Sequence, residues 1–176
     1  MYLVSLYFDE KTEQKIQLFI NQVADKTGNT FMTDGKVPPH ITVCEFDTKK
    51  EEDAIKLSKN SMTSLRQIEV QFVSVGTFLP YVIYLAPVLD QELLNVSLAT
   101  NLEISKIEDS SISKFYRPFQ WMPHATIGKK LSPDEMRLAF EVLQNQFGPF
   151  KGTVTKIGLA KTNPYRDIAV FELPCR

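Results

Sequence analysis

The chain is poor in the residues that mark many functional classes. Its 176 residues include two cysteines, two histidines and one tryptophan. Cys44 and Cys175 cannot supply the dense disulfide framework of a small secreted domain, so a reduced, cytoplasmic setting is expected. No Cys-x-x-Cys or His-x-x-x-His run gathers metal ligands, and neither a metal nor a cofactor is expected. The apolar segment from Met1 to Phe8 has no basic flank and meets Asp9-Glu10-Lys11 at once, unlike a signal peptide or a membrane span. A formal net charge of −1 gives no global field to draw in a long polyanion, so any contact with nucleic acid must come from a local basic site. No Pro-, Gly- or Ser-rich stretch separates independent units. With 43% hydrophobic residues, one soluble, monomeric domain spanning 1–176 is expected.

Both histidines lie in the same short pattern, Pro39-His40-Ile41-Thr42-Val43 and Pro123-His124-Ala125-Thr126-Ile127. Threonine is 13 of 176 residues, so two unrelated histidines would share Thr at +2 about one time in two hundred. Each motif is followed, eight residues after its histidine, by a capping-box pattern: Thr48 with Glu51, and Ser132 with Glu135. Motif and helix start therefore recur together at an offset of 84 residues, which reads as an internal duplication.

The remaining pattern follows that repeat. Met1 to Phe8 reads as a central strand, and Thr12 to Thr27 as a helix whose Ile16, Phe19, Ile20 and Val23 share one face, stopped by Gly28. His40 to Phe46 is a strand. Lys49 to about Arg66 is a helix with Ile55, Met62 and Leu65 inward, and Ile68 to Leu79 a strand. Phe78, Pro80 and Tyr81 form the crossing to the second half. There Tyr81 to Val88 is a strand, Gln91 to Ile104 a helix capped by Asp90, and His124 to Gly128 a strand. Pro133 to Phe147 is a helix facing the core through Met136, Phe140, Leu143 and Phe147. Thr153 to Ala160 and Ile168 to Leu173 close the chain. The order β-α-β-α-β, twice, predicts an α+β fold of two pseudo-two-fold lobes (about 1–79 and 80–176), with two antiparallel sheets lining a central groove and helices outside.

Strand periodicity puts His40 beside Thr42 on one face and His124 beside Thr126 on another, with the intervening apolar residues turned to the core. Opposed across a groove, two imidazoles suit in-line displacement at phosphorus. One acts as base toward the nucleophile, the other as acid toward the leaving oxygen, and the hydroxyls hold the non-bridging oxygens. On these two His-hydrophobic-Thr-hydrophobic motifs, and on the element order around them, the chain resembles the two-histidine (2H) phosphoesterase superfamily of the 2′-5′ RNA ligase-like kind. The resemblance implies metal-independent chemistry on RNA-type phosphodiesters, above all hydrolysis of 2′,3′-cyclic phosphates or cleavage and ligation of 2′-5′ linkages. It also implies that His124 activates water and His40 protonates the leaving ribose oxygen, while Thr42 and Thr126 hold the phosphate. The pseudo-symmetry lets the two histidine roles exchange, and a non-catalytic RNA- or nucleotide-binding module of the same fold is the alternative.

Other residues carry further expectations. Tyr116 and Arg117, in a loop mixing cations with aromatics, are substrate-binding candidates for an RNA end or nucleotide, and Phe119 and Trp121 anchor that loop. Lys161 and Arg166 flank the last turn and reach toward the groove mouth, whereas Lys129 and Lys130 read as a solvated strand end. Cys44, on the face of His40 and Thr42, is the one residue that could turn the histidines into a zinc site.

Overall fold

The computed structural model describes residues 1–62 and 65–175. The elements run β1 (Tyr2–Phe8), α1 (Glu10–Thr27), α2 (Phe31–Asp34), β2 (His40–Asp47), α3 (Glu51–Met62), β3 (Ile68–Phe78), β4 (Val82–Pro87), α4 (Gln91–Ile104) and β5 (Ser111–Ile112). A single 3-10 turn at Lys114–Tyr116 follows, then β6 (Ala125–Gly128), α5 (Pro133–Gln146), β7 (Phe150–Lys161) and β8 (Arg166–Glu172). The side chain of Met62 and residues 63–64, which the sequence assigns to the second long helix, lie outside the described residues.

The two expected antiparallel sheets are the wings of one eight-stranded sheet, ordered β5-β2-β1-β7-β3-β4-β6, with β8 beside β7. They merge because β7 pairs with both β1 and β3. One wing is β2-β1-β7 and the other β6-β4-β3, so each contains a histidine strand, and β7 from the second repeat lies between the first strands of the two wings. The boundary near residue 80 thus separates the repeats along the chain but not the wings. The helices cross over in the same way, α1 packing on α5 and α3 on α4. Although β2 and β6 stand near opposite ends of the strand order, they touch. The sheet is therefore curled, and its concave side is the groove.

Local signals act where nothing competes with them. Asp9 caps α1 by accepting from Thr12 N–H, Gly28 closes it at φ 75°, and Asp90 caps α4. Ser132 and Glu135 make a full capping box on α5, with the Ser132 N–H donating to Glu135 at 2.6 Å. The corresponding box at Thr48 does not form. Glu51 is taken up by the Tyr2 hydroxyl at 2.9 Å and by Lys161 at 3.1 Å, while Thr48 donates to Asp109 and accepts from Lys50 N–H. Phe140 is 41% exposed rather than inward; Met136, Ala139 and Leu143 are the buried positions of α5, and Phe147 packs against Phe19 from just beyond the helix.

Candidate functional site

Each histidine motif sits at a kink that its sequence does not announce. Along β1 and β2, Ser5 pairs with Thr42 and Val4 with Cys44, leaving Val43 as an extra residue, a β-bulge. Along β4 and β6, Tyr84 pairs with Thr126 and Ile83 with Gly128, leaving Ile127 as the extra residue. The bulge falls three positions after the histidine both times, so the duplication extends to the backbone. The bulge also reverses the alternation beyond it. Strand alternation alone puts Cys44 on the face of His40 and Thr42, but it turns into the core, fully buried, its thiol pushed up to about 12 by burial and then by Glu45. Glu45 takes the groove side instead. Among the described residues, no group of three or more His, Cys, Asp or Glu side chains is placed to hold a metal ion.

The two imidazoles are fixed alike. His40 Nδ1 lies 2.8 Å from the carbonyl oxygen of Pro38, and His124 Nδ1 lies 2.8 Å from that of Met122. A carbonyl only accepts, so Nδ1 carries the proton in both and each neutral ring offers its Nε2 as a lone pair. Burial holds both imidazoles below their ordinary pKa, against the backbone bond, which favours the charged form. Their surroundings then differ. Asp167 favours protonation of His40, whereas His124 meets only opposing charge, from His40 and from Lys129. The two histidine strands touch, and the Lys129 ammonium opposes protonation of both rings.

The walls are aromatic. His40 packs between Tyr7 and Tyr165, with ring centroids 6.2 and 6.4 Å away. The Tyr7 hydroxyl donates to Asp167 at 2.8 Å and lies 2.6 Å from that of Tyr165. Burial, then Tyr165 and Asp167, push the Tyr7 phenol far above its ordinary range. Tyr7 reaches Asp167 by crossing Gly158, where an added Cβ would lie 2.8 Å from its ring. On the other wing His124 meets Phe78 edge-on at 4.8 Å and Tyr84 at 5.3 Å. Tyr84 lies over Gly76, where a Cβ would come within 2.5 Å of it. Gly158 and Gly76 are paired with Ser5 and Tyr84, the residues opposite the two threonines, so a Thr-x-Gly row crosses each wing. The threonines themselves differ: Thr42 is buried with its hydroxyl 3.4 Å from that of Ser5, whereas Thr126 is half-exposed.

The other sequence candidates separate. Tyr116 lines a cavity that opens at His124, and Trp121 anchors the loop as expected, buried and donating its indole N–H to the Thr42 carbonyl at 2.9 Å. Phe119 does not anchor it. It stands 82% exposed on a backbone at φ 65°, since the turn that seats Trp121 points Phe119 outward. Arg117 lines a separate cavity against Leu98 and Leu102 of α4. Lys161 is held by Glu51 over the Tyr2 ring, opposite the start of β1, while His40 is opposite Tyr7 near its end. The residues that sequence reasoning passed over are Glu45 and the Tyr7–Tyr165–Asp167 group. Lys129, read as a solvated strand end, is exposed and also bears on both imidazoles.

A curled, duplicated α+β sheet bearing two matched His-x-Thr strands defines a two-histidine phosphoesterase or RNA ligase-like protein. The chain belongs to the 2′-5′ RNA ligase superfamily, whose family model matches residues 12–166. Its fold is similar to that of Escherichia coli LigT complexed with 3′-AMP (13% identity, 98% of this chain and 97% of that one, TM-score 0.64). It is equally similar to that of TT0787 of Thermus thermophilus (14% identity, 99% and 98%, TM-score 0.64). The sequence matches no curated protein. Among the described residues no helix is long and apolar enough to cross a membrane.

Proposed function

We propose that the protein hydrolyses RNA-type phosphodiesters without a metal ion, with 2′,3′-cyclic phosphates as the favoured substrate class. The observation that carries this reading is the matched pair of imidazoles, each with Nδ1 tied to a carbonyl and Nε2 free, on bulged strands that meet across one groove. His124 Nε2 removes a proton from water as the water oxygen bonds to phosphorus. The bond from phosphorus to one ribose oxygen breaks on the opposite side, and protonated His40 Nε2 delivers its proton to that oxygen, leaving a phosphomonoester and a free hydroxyl. We assign the roles by neighbouring charge: Asp167 favours a proton on His40, where Lys129 opposes it, whereas both Lys129 and His40 oppose a proton on His124. Thr126, Thr42 and Lys129 carry the charge on the non-bridging oxygens.

The test is turnover by the purified chain, in EDTA, of 2′,3′-cyclic nucleotides and of 2′-5′- and 3′-5′-linked oligonucleotides. Hydrolysis of the cyclic nucleotides in chelator is the expected result. Turnover restored only by added zinc or manganese overturns metal independence, and binding without turnover of any substrate makes the chain a binding module.

A further inference from the structure

The cavity at His124 has a volume of about 520 Å³ and is walled by Phe78, Tyr116, Trp121 and Met122, with Glu45 among its lining residues. Glu45 sits there because of the bulge at Val43, and its backbone is pinned by Ser113 N–H donating to its carbonyl at 2.9 Å. Its carboxylate is half-buried, and among the described residues no cation or hydrogen-bond donor partners it. Instead its charge bears on Tyr116, whose phenol is pushed up to about 12 by burial, then by Glu45 and Cys44. A carboxylate only accepts hydrogen bonds, and one left half-buried among aromatic rings is satisfied by a ligand with N–H groups on its edge and apolar faces. Glu45 is five residues from His40 on β2, at most about 17 Å along an extended strand. A phosphate between the imidazoles therefore lies within a nucleoside's reach of this cavity.

We infer that the cavity is a base-reading subsite in which Glu45 selects guanine, an inference that rests on the phosphodiester reading above. Guanine alone among the RNA bases presents two adjacent donors, N1–H and the 2-amino group, to the two oxygens of one carboxylate. Adenine and cytosine set a ring acceptor beside their amino group, and uracil flanks its single N–H with two carbonyls that a carboxylate repels. Phe78 and Tyr116 supply the faces for stacking.

The experiment compares kcat/KM for guanosine and uridine 2′,3′-cyclic phosphates in the wild type, Glu45→Gln and Glu45→Asp, with thermal melts to verify folding. The wild type should favour guanosine by about ten- to a hundredfold, the discrimination of one bidentate pair. Glu45→Gln should bring the two substrates within about threefold, and Glu45→Asp should fall between. A wild type indifferent to the base, or a preference that survives Glu45→Gln, overturns the assignment. Binding of guanosine and uridine 2′-monophosphates, followed by the fluorescence of the single tryptophan, Trp121, separates the two readings. If neither cyclic nucleotide is hydrolysed, the cyclic-phosphate part of that reading fails. The subsite then stands on a guanosine preference of tenfold or more that Glu45→Gln abolishes, and falls if the two nucleotides bind alike.

Discussion

Replacing His124 with alanine should separate chemistry from stability. The ring makes one hydrogen bond, to a Met122 carbonyl beside an exposed side chain, and two aromatic contacts, with Phe78 and Tyr84. Losing that hydrogen bond should cost about 1 kcal/mol, and losing the aromatic contacts about 0.5–1.5 kcal/mol more. For a chain of this length about 2 kcal/mol lowers Tm by roughly 4–8 °C. The rate should fall by about 10²–10⁴, the worth of a positioned proton-transfer group, equivalent to about 3–5 kcal/mol of barrier. His40→Ala should lose a similar factor in rate, with a larger Tm shift because its ring is packed between two tyrosines. The double variant should be slower than either single by far less than the product of the two factors, since removing one partner already disables the exchange of protons. The assay is hydrolysis of a 2′,3′-cyclic nucleotide in EDTA beside a thermal melt of each variant. Near-wild-type hydrolysis in His124→Ala, or factors that multiply in the double variant, would refute the reasoning.

Four further outcomes follow from the same geometry. Both imidazoles are held below their ordinary value near 6.5, so kcat/KM, which needs one ring protonated in the free protein, should peak below pH 7, while bound phosphate should move the kcat optimum upward; a kcat/KM optimum above pH 8 contradicts the assignment. The sign for stability is fixed by the same shifts: the unfolded chain binds protons more readily, so this contribution is present above about pH 6.5 and is lost as pH falls toward the lowered folded values, which Tm against pH in wild type and His124→Ala will reveal. Thr126→Val should cost about tenfold or more in rate and Thr42→Val less, because Thr42 is buried against Ser5 whereas Thr126 is half-exposed; a wild-type rate in Thr126→Val under steady-state kinetics would count against the phosphate-holding role. A thiol reagent should titrate Cys175 alone in the native protein and Cys44 as well in denaturant, since Cys44 is sealed in the core and Cys175 is exposed.

What was legible in the sequence was whatever depends on nearest neighbours and on repetition. The strands and helices around Met1–Phe8, Gln91–Ile104 and Pro133–Phe147 followed from apolar spacing and caps, and the paired motifs fell on two strands, β2 and β6, that touch. What was hidden depends on partners distant in the chain. Glu51 carries a good capping-box pattern, but the Tyr2 hydroxyl and Lys161 claim its carboxylate. Arg117 and Lys161 have suitable charges, yet one faces α4 and the other is held at the far end of β1. Tyr7 is separated from Tyr165 and Asp167 by more than 150 residues in sequence, and they meet only because β7 lies between β1 and β8.

The two bulges explain why a face-by-face reading succeeded at the motifs and failed just beyond them. Alternation is a parity argument, so one extra residue inverts every later assignment on the strand. Before the bulge at Val43, His40 and Thr42 keep to one face of β2, as alternation requires. After it, Cys44 takes the position that parity gave to Glu45, and Glu45 takes that of Cys44. The consequence is chemical: a thiol that would have suggested a metal is exchanged for a carboxylate that accepts hydrogen bonds. On the second wing the same device comes at Ile127, and Lys129, one residue past Gly128, bears on both imidazoles. The repeat therefore delivers two equivalent imidazoles, while the two bulges bring forward residues of opposite charge, Glu45 from β2 and Lys129 from β6. A phosphodiester bound between the rings meets that difference, and so would bind in a preferred direction, with its nucleoside toward Glu45 and its phosphate toward Lys129.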